Sequence, residues 1–267
     1  WVSSFDIDDA LLSANSFDRG ALLSWPSVDV LYVSLPQELS TAGQTVQVLP
    51  GEYHLSEPVL VSAEGVTVRG PNTGVAAGGA RGPEATVYGS FHLNAPDVTV
   101  AGLAFEQFGT VLSEHTPIYL GAGAQGVTIA SNVVQGAGQA GRGVVSGIGA
   151  TTSAHIVGNT FRSLGTGTYA NPGASFTVEG NVFEDNLAGS ANDSPNGVVR
   201  NNTFTGNAEG VGLGAAAAVD AYIVDYVGAY DLTSFVATNS YDTAPEVGGY
   251  RTTWPPFAVM PALVPGD

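Results

Sequence analysis

A short repeated segment is the feature that most restricts what this chain can fold into. Eight-residue segments with the pattern apolar-x-apolar-x-x-Asn-x-apolar, the last residue usually aromatic, recur from residue 127 onward. They are Val127–Val134, Ala154–Phe161, Phe176–Phe183, Gly197–Phe204 and Ser234–Tyr241, and Val98–Phe105 and the shorter segment 66–70 have the strand part without asparagine. From Val66 to Gly197 the segment starts lie 21 to 32 residues apart. This interval is typical of a solenoid with one coil per segment.

Alternation within each segment predicts a short strand with one buried face. The first and third residues are apolar and the second is usually threonine, which is the period of two that a half-buried strand shows. A strand of three or four residues cannot bury this face alone. Stacking of successive coils about 4.8 Å apart pairs each strand with its equivalents above and below, which gives parallel sheets around an apolar interior.

The asparagine of each segment is predicted to occupy a buried bend between two strands. Its amide can bond to its own turn and to the asparagine one coil away, so that the polar groups of the bend are satisfied. We therefore expect an asparagine ladder inside one corner, formed by Asn132, Asn159, Asn181, Asn202 and Asn239. The aromatic residue two positions later is expected to form a second interior column, made of Phe105, Phe161, Phe183, Phe204 and Tyr241.

The start of the coil array resembles a known superfamily. Residues Leu35 to Tyr53 read as a short helical stretch, a glycine turn, a strand and a Pro50-Gly51 turn. This resembles the first coil of the right-handed parallel β-helix proteins of the pectin-lyase-like superfamily, although Gln44 replaces the acidic residue of their turn. Residues Val66 to Leu93 are similar to the Gly-Pro-Asn insert and following strands of secreted members. The resemblance implies an all-β fold, a single-stranded right-handed parallel β-helix solenoid with capped ends.

Three regions are expected along the chain. Residues 1–34 are predicted to form an N-terminal cap, residues 35–241 the β-helix, and residues 242–267 a proline-rich C-terminal cap or extended tail, because proline cannot donate to a strand ladder. Within residues 215–232, an amphipathic spacing of apolar residues predicts a helix, and the coil interval predicts a further coil instead. Both interpretations remain open from the sequence, and the coil is favoured.

Charge and cysteine content exclude several classes of partner. The seven basic residues are all arginine, and 24 acidic residues bring the formal charge to −17. Nucleic acid and anionic membrane surfaces are therefore poor partners. The chain has no cysteine and no run of 18 apolar residues, so we expect no disulfide framework and no direct membrane insertion. Because the sequence opens at Trp1 with no charged and apolar leader, we expect a processed or trimmed soluble chain. The resemblance to secreted β-helix proteins implies that it is secreted or at a cell surface.

One polar group of residues is the candidate site. It contains Glu114 and His115 in one coil insertion, Arg142 in the next, Arg162 after Phe161, and Glu184 and Asp185 after Phe183. A groove with arginines, carboxylates and a histidine could bind a sugar chain, and solvated loop charges are the alternative explanation. Glu179 and Arg200 stand at equivalent positions of adjacent coils, and we predict that they form a cross-strand ion pair. The histidines show no metal-ligand spacing, so no metal and no cofactor are expected.

Two functions follow from these features. The first is a non-catalytic extracellular β-helix module, a structural or carbohydrate-contacting part of a surface layer, adhesin, fibre or spike, with a polysaccharide or neighbouring surface-protein subunits as partners. The second is a small polysaccharide lyase, hydrolase or epimerase of the pectin-lyase-like fold, with Arg142, Arg162, Glu184 and Asp185 as its catalytic groups. Absence of lysine excludes a lysine base, and an arginine base remains possible.

Overall fold

Three parallel β-sheets run along the axis of a stack of coils. The computed structural model describes residues 30–32, 35–106, 116–138, 141–192, 197–207, 209–213, 240–241, 246–247 and 250–251. Each complete coil in these residues contributes one strand to each sheet. We name the sheets I, II and III by the order in which the chain visits them within a coil.

The strands are short and have the following bounds. Sheet I contains β2 (Glu38–Leu39), β5 (Val59–Val61), β8 (Phe91–Leu93), β11 (Ile118–Leu120), β14 (Arg142–Ser146), β17 (Thr166–Ala170), β20 (Ala188–Asn192), β23 (Glu209–Leu213), β25 (Glu246–Val247) and β26 (Tyr250–Arg251). Sheet II contains β1 (Val30–Tyr32), β3 (Thr45–Val48), β6 (Thr67–Arg69), β9 (Thr99–Ala101), β12 (Val127–Ala130), β15 (Ser153–Val157), β18 (Ser175–Glu179) and β21 (Val198–Arg200). Sheet III contains β4 (Gly51–His54), β7 (Ala85–Tyr88), β10 (Ala104–Glu106), β13 (Val133–Gln135), β16 (Thr160–Arg162), β19 (Val182–Glu184), β22 (Thr203–Thr205) and β24 (Ser240–Tyr241).

This arrangement confirms the predicted fold class, a right-handed parallel β-helix. Equivalent residues of successive repeats are register partners, as Val100, Ile129 and Ile156 show in sheet II. These inward residues are fully buried. The period of two in the sequence therefore separates an apolar interior from a polar outer surface.

Stacked phenylalanines fill the interior beside sheet III. The rings of Phe161 and Phe183 lie 5.1 Å apart and those of Phe183 and Phe204 lie 4.7 Å apart, and both pairs are close to parallel. Phe105 is also buried, and its ring instead meets the edge of Phe91. The side chain of Tyr241 lies outside the described residues.

The predicted asparagines stack in the corner between sheets II and III. Asn132, Asn159, Asn181 and Asn202 are almost completely buried. In each step, the backbone N–H and the side-chain amide of one asparagine donate to Oδ1 of the next, as from Asn159 to Asn181 at 2.8 and 3.0 Å. The same amides also donate to carbonyls of the preceding coil, as from Asn181 to Ile156. Asn239 lies outside the described residues.

A second asparagine ladder lies in the corner between sheets III and I. The backbone N–H of Leu164 donates to Oδ1 of Asn186, and Asn186 donates from both its backbone and its amide to Oδ1 of Asn207. Both asparagines are buried. The repeated segment does not predict this ladder, because Asn186 and Asn207 each stand three residues beyond the end of a segment.

A long insertion between β6 and β7 folds back along the outside of the coils. We call residues 71–84 the strap. The Arg81 guanidinium donates to the carbonyls of Leu103 and Ser131, which are corner residues of the next two coils. The Gly78 N–H donates to Thr160 Oγ1 in the coil after those. The strap therefore connects coils that are not neighbours.

One local prediction at the start of the array is wrong. A short helical stretch is predicted at the start of residues 35–53, and Glu38–Leu39 instead form β2, which pairs with β5. The backbone explains the difference, because Gln37 and Leu39 carbonyls accept hydrogen bonds from Leu60 and Ser62 of the next coil. An isolated helical turn would leave these groups unpaired.

Strands also occur in both predicted end regions. Val30–Tyr32, within the predicted N-terminal cap, forms β1 and pairs with β3. Within the predicted tail, β25 pairs in parallel with β23, and β26 pairs antiparallel with β25. The rest of the predicted N-terminal cap and of the tail lies outside the described residues. Residues 215–232, for which a helix and a coil were alternatives, also lie outside them.

Candidate functional site

The predicted site residues lie on two different sheets. Arg162 and Glu184 end β16 and β19 of sheet III and are direct register partners. Arg142 begins β14 of sheet I, and its guanidinium lies 4.3 Å from the ring centroid of Tyr169. Glu114 and His115 lie outside the described residues. The structure therefore pairs Arg162 with Glu184, and it directs Arg142 toward a different face.

Asp185 occupies a backbone position that few side chains tolerate. It lies in the corner between sheets III and I with φ of 53°, where asparagine and aspartate are favoured over other non-glycine residues. Gly206 follows it one coil later, and a Cβ on Gly206 would collide with the Asp185 carboxylate. The Asp185 carboxylate therefore packs against the backbone of Gly206 and helps to form the corner.

Polar side chains form a continuous row on the outside of sheet III. The row contains Arg162 and Glu184 together with His54, Tyr88, Glu106, Gln135 and Thr205. At its start, the rings of His54 and Tyr88 stack 4.3 Å apart. Desolvation, together with the Glu106 and Glu52 carboxylates, raises the pKa of Tyr88 above its ordinary value. Tyr88 is therefore a neutral hydroxyl at neutral pH.

Sheet I has an outer surface of another kind, which we call the aromatic face. Its register column contains His92, Tyr119, Val145 and Tyr169, from four successive coils. The rings of His92 and Tyr119 have centroids 5.2 Å apart, and the two tyrosines are half-buried. The face thus carries half-buried rings on short parallel strands, and the Arg142 guanidinium lies over one side of the Tyr169 ring.

Sequence reasoning missed the aromatic face. Its strands precede the recognised repeat by a variable number of residues, and they are rich in glycine and threonine. The one usable signal was an aromatic residue in the middle of each short segment Ile118-Tyr119-Leu120 and Thr168-Tyr169-Ala170. Alternation in these segments places the middle residue outside.

Sheet II carries the predicted ion pair on its outer surface. Arg200 donates to Glu179 at 2.8 Å, and Asn201 donates to the other carboxylate oxygen at 3.1 Å. The hydrogen bond from Arg200 holds the pKa of the Glu179 carboxyl below its ordinary value. The prediction of a cross-strand ion pair is confirmed, because the Arg200 guanidinium and the Glu179 carboxylate are in direct contact.

The described part of the chain shows neither a metal-binding cluster nor a helix able to span a membrane. No cluster of three or more histidine, aspartate or glutamate side chains there is placed to hold a metal ion. The same residues include no helix of sufficient length and apolar character to cross a membrane.

Comparison with known proteins supports the fold. A family model described as the right-handed beta helix region matches residues 118–225, which include the coils from β11 to β23. The matched segment is less than half of the 267 residues. Searches of the curated proteins and of the solved structures found no match. The fold and this family match together define the protein as a right-handed β-helix module.

Proposed function

We propose that this protein is a non-catalytic extracellular β-helix module that contacts carbohydrate, as part of a surface layer, adhesin, fibre or spike. The observation that carries the proposal is the aromatic face of sheet I. Tyrosine rings bind the apolar faces of sugar rings and supply a hydroxyl at their edge. A column of such rings on rigid strands is a suitable surface for a polysaccharide.

The positions of the charged residues support binding over turnover. Polysaccharide cleavage requires a base and a charge-stabilising group within hydrogen-bond reach of one sugar. Arg142 lies over Tyr169 on sheet I, Arg162 and Glu184 belong to sheet III, and Asp185 fits into a corner. The four residues therefore lie on three separate surfaces, and Arg162 and Glu184 share one of them.

Binding to a panel of immobilised neutral and acidic polysaccharides tests the proposal. We expect one class to retain the protein, and the double change Tyr119→Ala and Tyr169→Ala to weaken retention by about tenfold or more, since each stacked ring contributes roughly 1 kcal/mol. The double change Arg162→Ala and Glu184→Ala is the matched control and should leave retention unchanged. An unchanged melting temperature shows that each variant is folded. Failure to bind any member of the panel would refute the proposal.

An enzymatic function remains the second candidate because Arg162 and Glu184 are adjacent. Their register pairing on sheet III places an arginine and a carboxylate side by side on an outer surface. Assays for new reducing ends, unsaturated ends and epimerised uronates distinguish this candidate. If the protein turns over a polysaccharide, and the double change Arg162→Ala and Glu184→Ala slows turnover a hundredfold or more, the protein is an enzyme and the non-catalytic proposal is wrong.

A further inference from the structure

We infer that the ligand of the aromatic face is an uncharged, extended polysaccharide that lies along the axis of the coils. This inference rests on the proposed function, because it names the chemical class and the orientation of the carbohydrate. Three observations support it: the charge of the face, the spacing of its tyrosines and the exposed apolar side chains at its border.

The face is nearly free of charge in a strongly acidic protein. Described residues 116–126, 141–152, 165–174 and 187–191, which form sheet I and its adjoining corners in the four coils from Tyr119 onward, contain one charged side chain, Arg142, and the coil of His92 adds Asp97 at its corner. Burial also lowers the pKa of His92 below its ordinary value, so that the imidazole is neutral at neutral pH. A cationic polymer would find no carboxylate among these described residues of the four coils from Tyr119 onward.

An acidic polymer is also a poor ligand for this face. The formal charge of −17 opposes the approach of a polyanion, and the arginine on the face is packed against Tyr169. Three other arginines are held elsewhere, with Arg69 bonded to Gln47, Arg81 bonded to Glu84 and Arg200 bonded to Glu179. An uncharged glycan avoids both the repulsion and the need for several cations.

The tyrosine spacing sets the direction of the ligand. Tyr119 and Tyr169 are joined in register through Val145, so that they lie two coil spacings apart, about 9.6 Å along the axis. One coil spacing is close to the length of one sugar ring. An extended chain that runs along the axis therefore presents every second sugar to a tyrosine.

Exposed apolar side chains border the face. Ile148 is 92% exposed and Leu187 is 47% exposed. The Arg142 guanidinium lies over the Tyr169 ring, and its N–H groups can donate to sugar hydroxyls beside that ring. Apolar side chains, aromatic rings and a single cation together suit an uncharged sugar chain.

Titration calorimetry with soluble oligosaccharides tests the inference. The probes are linear uncharged β-linked trisaccharides and hexasaccharides, a galacturonate hexamer and a glucosamine hexamer, each at 20 and 500 mM NaCl. We expect the uncharged hexasaccharide to bind, with an affinity that salt leaves unchanged and that exceeds the affinity of the trisaccharide at least tenfold. Tyr119→Ala and Tyr169→Ala should each reduce this affinity by about fivefold, and Thr177→Ala, on the outside of sheet II, should not change it.

Other outcomes overturn specific steps. Salt-sensitive binding of the galacturonate or glucosamine hexamer in place of the uncharged one would refute the inference and leave the proposed function intact. Equal affinity for the trisaccharide and the hexasaccharide would refute the axial orientation. If no carbohydrate binds, the proposed function fails as well. If the protein self-associates and Tyr119→Ala abolishes this, the face is an interface between copies, and both proposals are wrong.

Discussion

Asparagine makes buried corners compatible with a continuous stack of coils. In the corner between sheets II and III, each amide donates to the coil before it and to the asparagine after it. Alanine at such a position would leave backbone N–H and carbonyl groups buried without partners, which carries a large desolvation penalty. The buried corner therefore requires the hydrogen bonds of the asparagine amide. A side chain that only fitted the bend would not replace asparagine.

We expect Asn181→Ala to lower the free energy of unfolding by about 1–3 kcal/mol, because it interrupts the ladder in its middle. Asn201→Gly is a suitable control: Asn201 is exposed, and glycine readily adopts its φ of 56°. Urea denaturation of both variants measures the difference. Equal losses in the two variants would contradict a special role of the buried ladder.

Alanine substitution at two glycines of the same corner should reduce stability to different extents. Gly102 and Gly158 have φ of 71° and 65°, so alanine at either position adopts an unfavourable backbone conformation, at a cost of about 1–2 kcal/mol. A Cβ on Gly102 would also lie 2.6 Å from the Thr73 Cα of the strap, whereas a Cβ on Gly158 meets no atom within 4 Å. Gly102→Ala should therefore reduce the urea midpoint more than Gly158→Ala does, and the reverse order would refute the close approach of the strap.

The predictability of these residues depended on how often their pattern recurs. Asn132, Asn159, Asn181 and Asn202 share one spacing relative to an apolar strand, and five repeats made it visible. Asn186 and Asn207 form the second ladder with only two described members, preceded by Leu164. A leucine can begin a ladder, because the ladder uses only its backbone N–H. The sequence pattern therefore conceals this position.

Among the larger elements, the strap departs most from a simple solenoid. The part of sheet III that lies next to the strap is shielded from solvent, because its outward residues Ala104, Val133 and Thr160 are buried. Its own structure is held by Asn72, which accepts from the Gly82 N–H and donates to Glu84. The course of this segment could not be predicted, because residues 71–84 are rich in glycine and alanine and have no periodicity.

Arg81 is the residue that attaches the strap to the coils, and we expect Arg81→Ala to destabilise the protein by about 1–3 kcal/mol. The guanidinium is mostly buried, with 14% of the side chain exposed, whereas the Arg200 side chain is 47% exposed. Arg200→Ala should cost less than about 1 kcal/mol, as exposed ion pairs usually do.

Thermal unfolding of the two arginine variants compares a strap anchor with a surface charge. An equal, small effect of both changes would show that the strap contributes little to stability. Limited proteolysis gives an independent readout, because Arg81→Ala should expose the strap to cleavage and Arg200→Ala should not.

The aromatic face and the polar row show why the site was harder to predict than the fold. Pairing of Arg162 with Glu184 followed from their equivalent positions after Phe161 and Phe183. Arg142 and Tyr169 come together through a corner whose length the repeat does not specify. Strand periodicity determines which residues point outward, but the lengths of the connections determine which outward residues are neighbours.

For the molecule as a whole, we expect stability without bound metal. Within the described residues, histidine and carboxylate side chains do not cluster in threes, and an aliphatic core, asparagine ladders and stacked phenylalanines supply buried contacts between coils. The melting temperature should therefore be the same in calcium and in chelator. A rise of many degrees with calcium, abolished by chelator, would locate a carboxylate site in the remaining part of the chain.

The strap has a consequence for resistance to mechanical load. Coils of a solenoid contact only their neighbours, so a force applied to one end would peel them away one at a time. The bonds from Gly78 to Thr160 and from Arg81 to Leu103 and Ser131 tie four consecutive coils together from outside. Under tension these coils should rupture as one block, at a higher force than the unstrapped coils that follow.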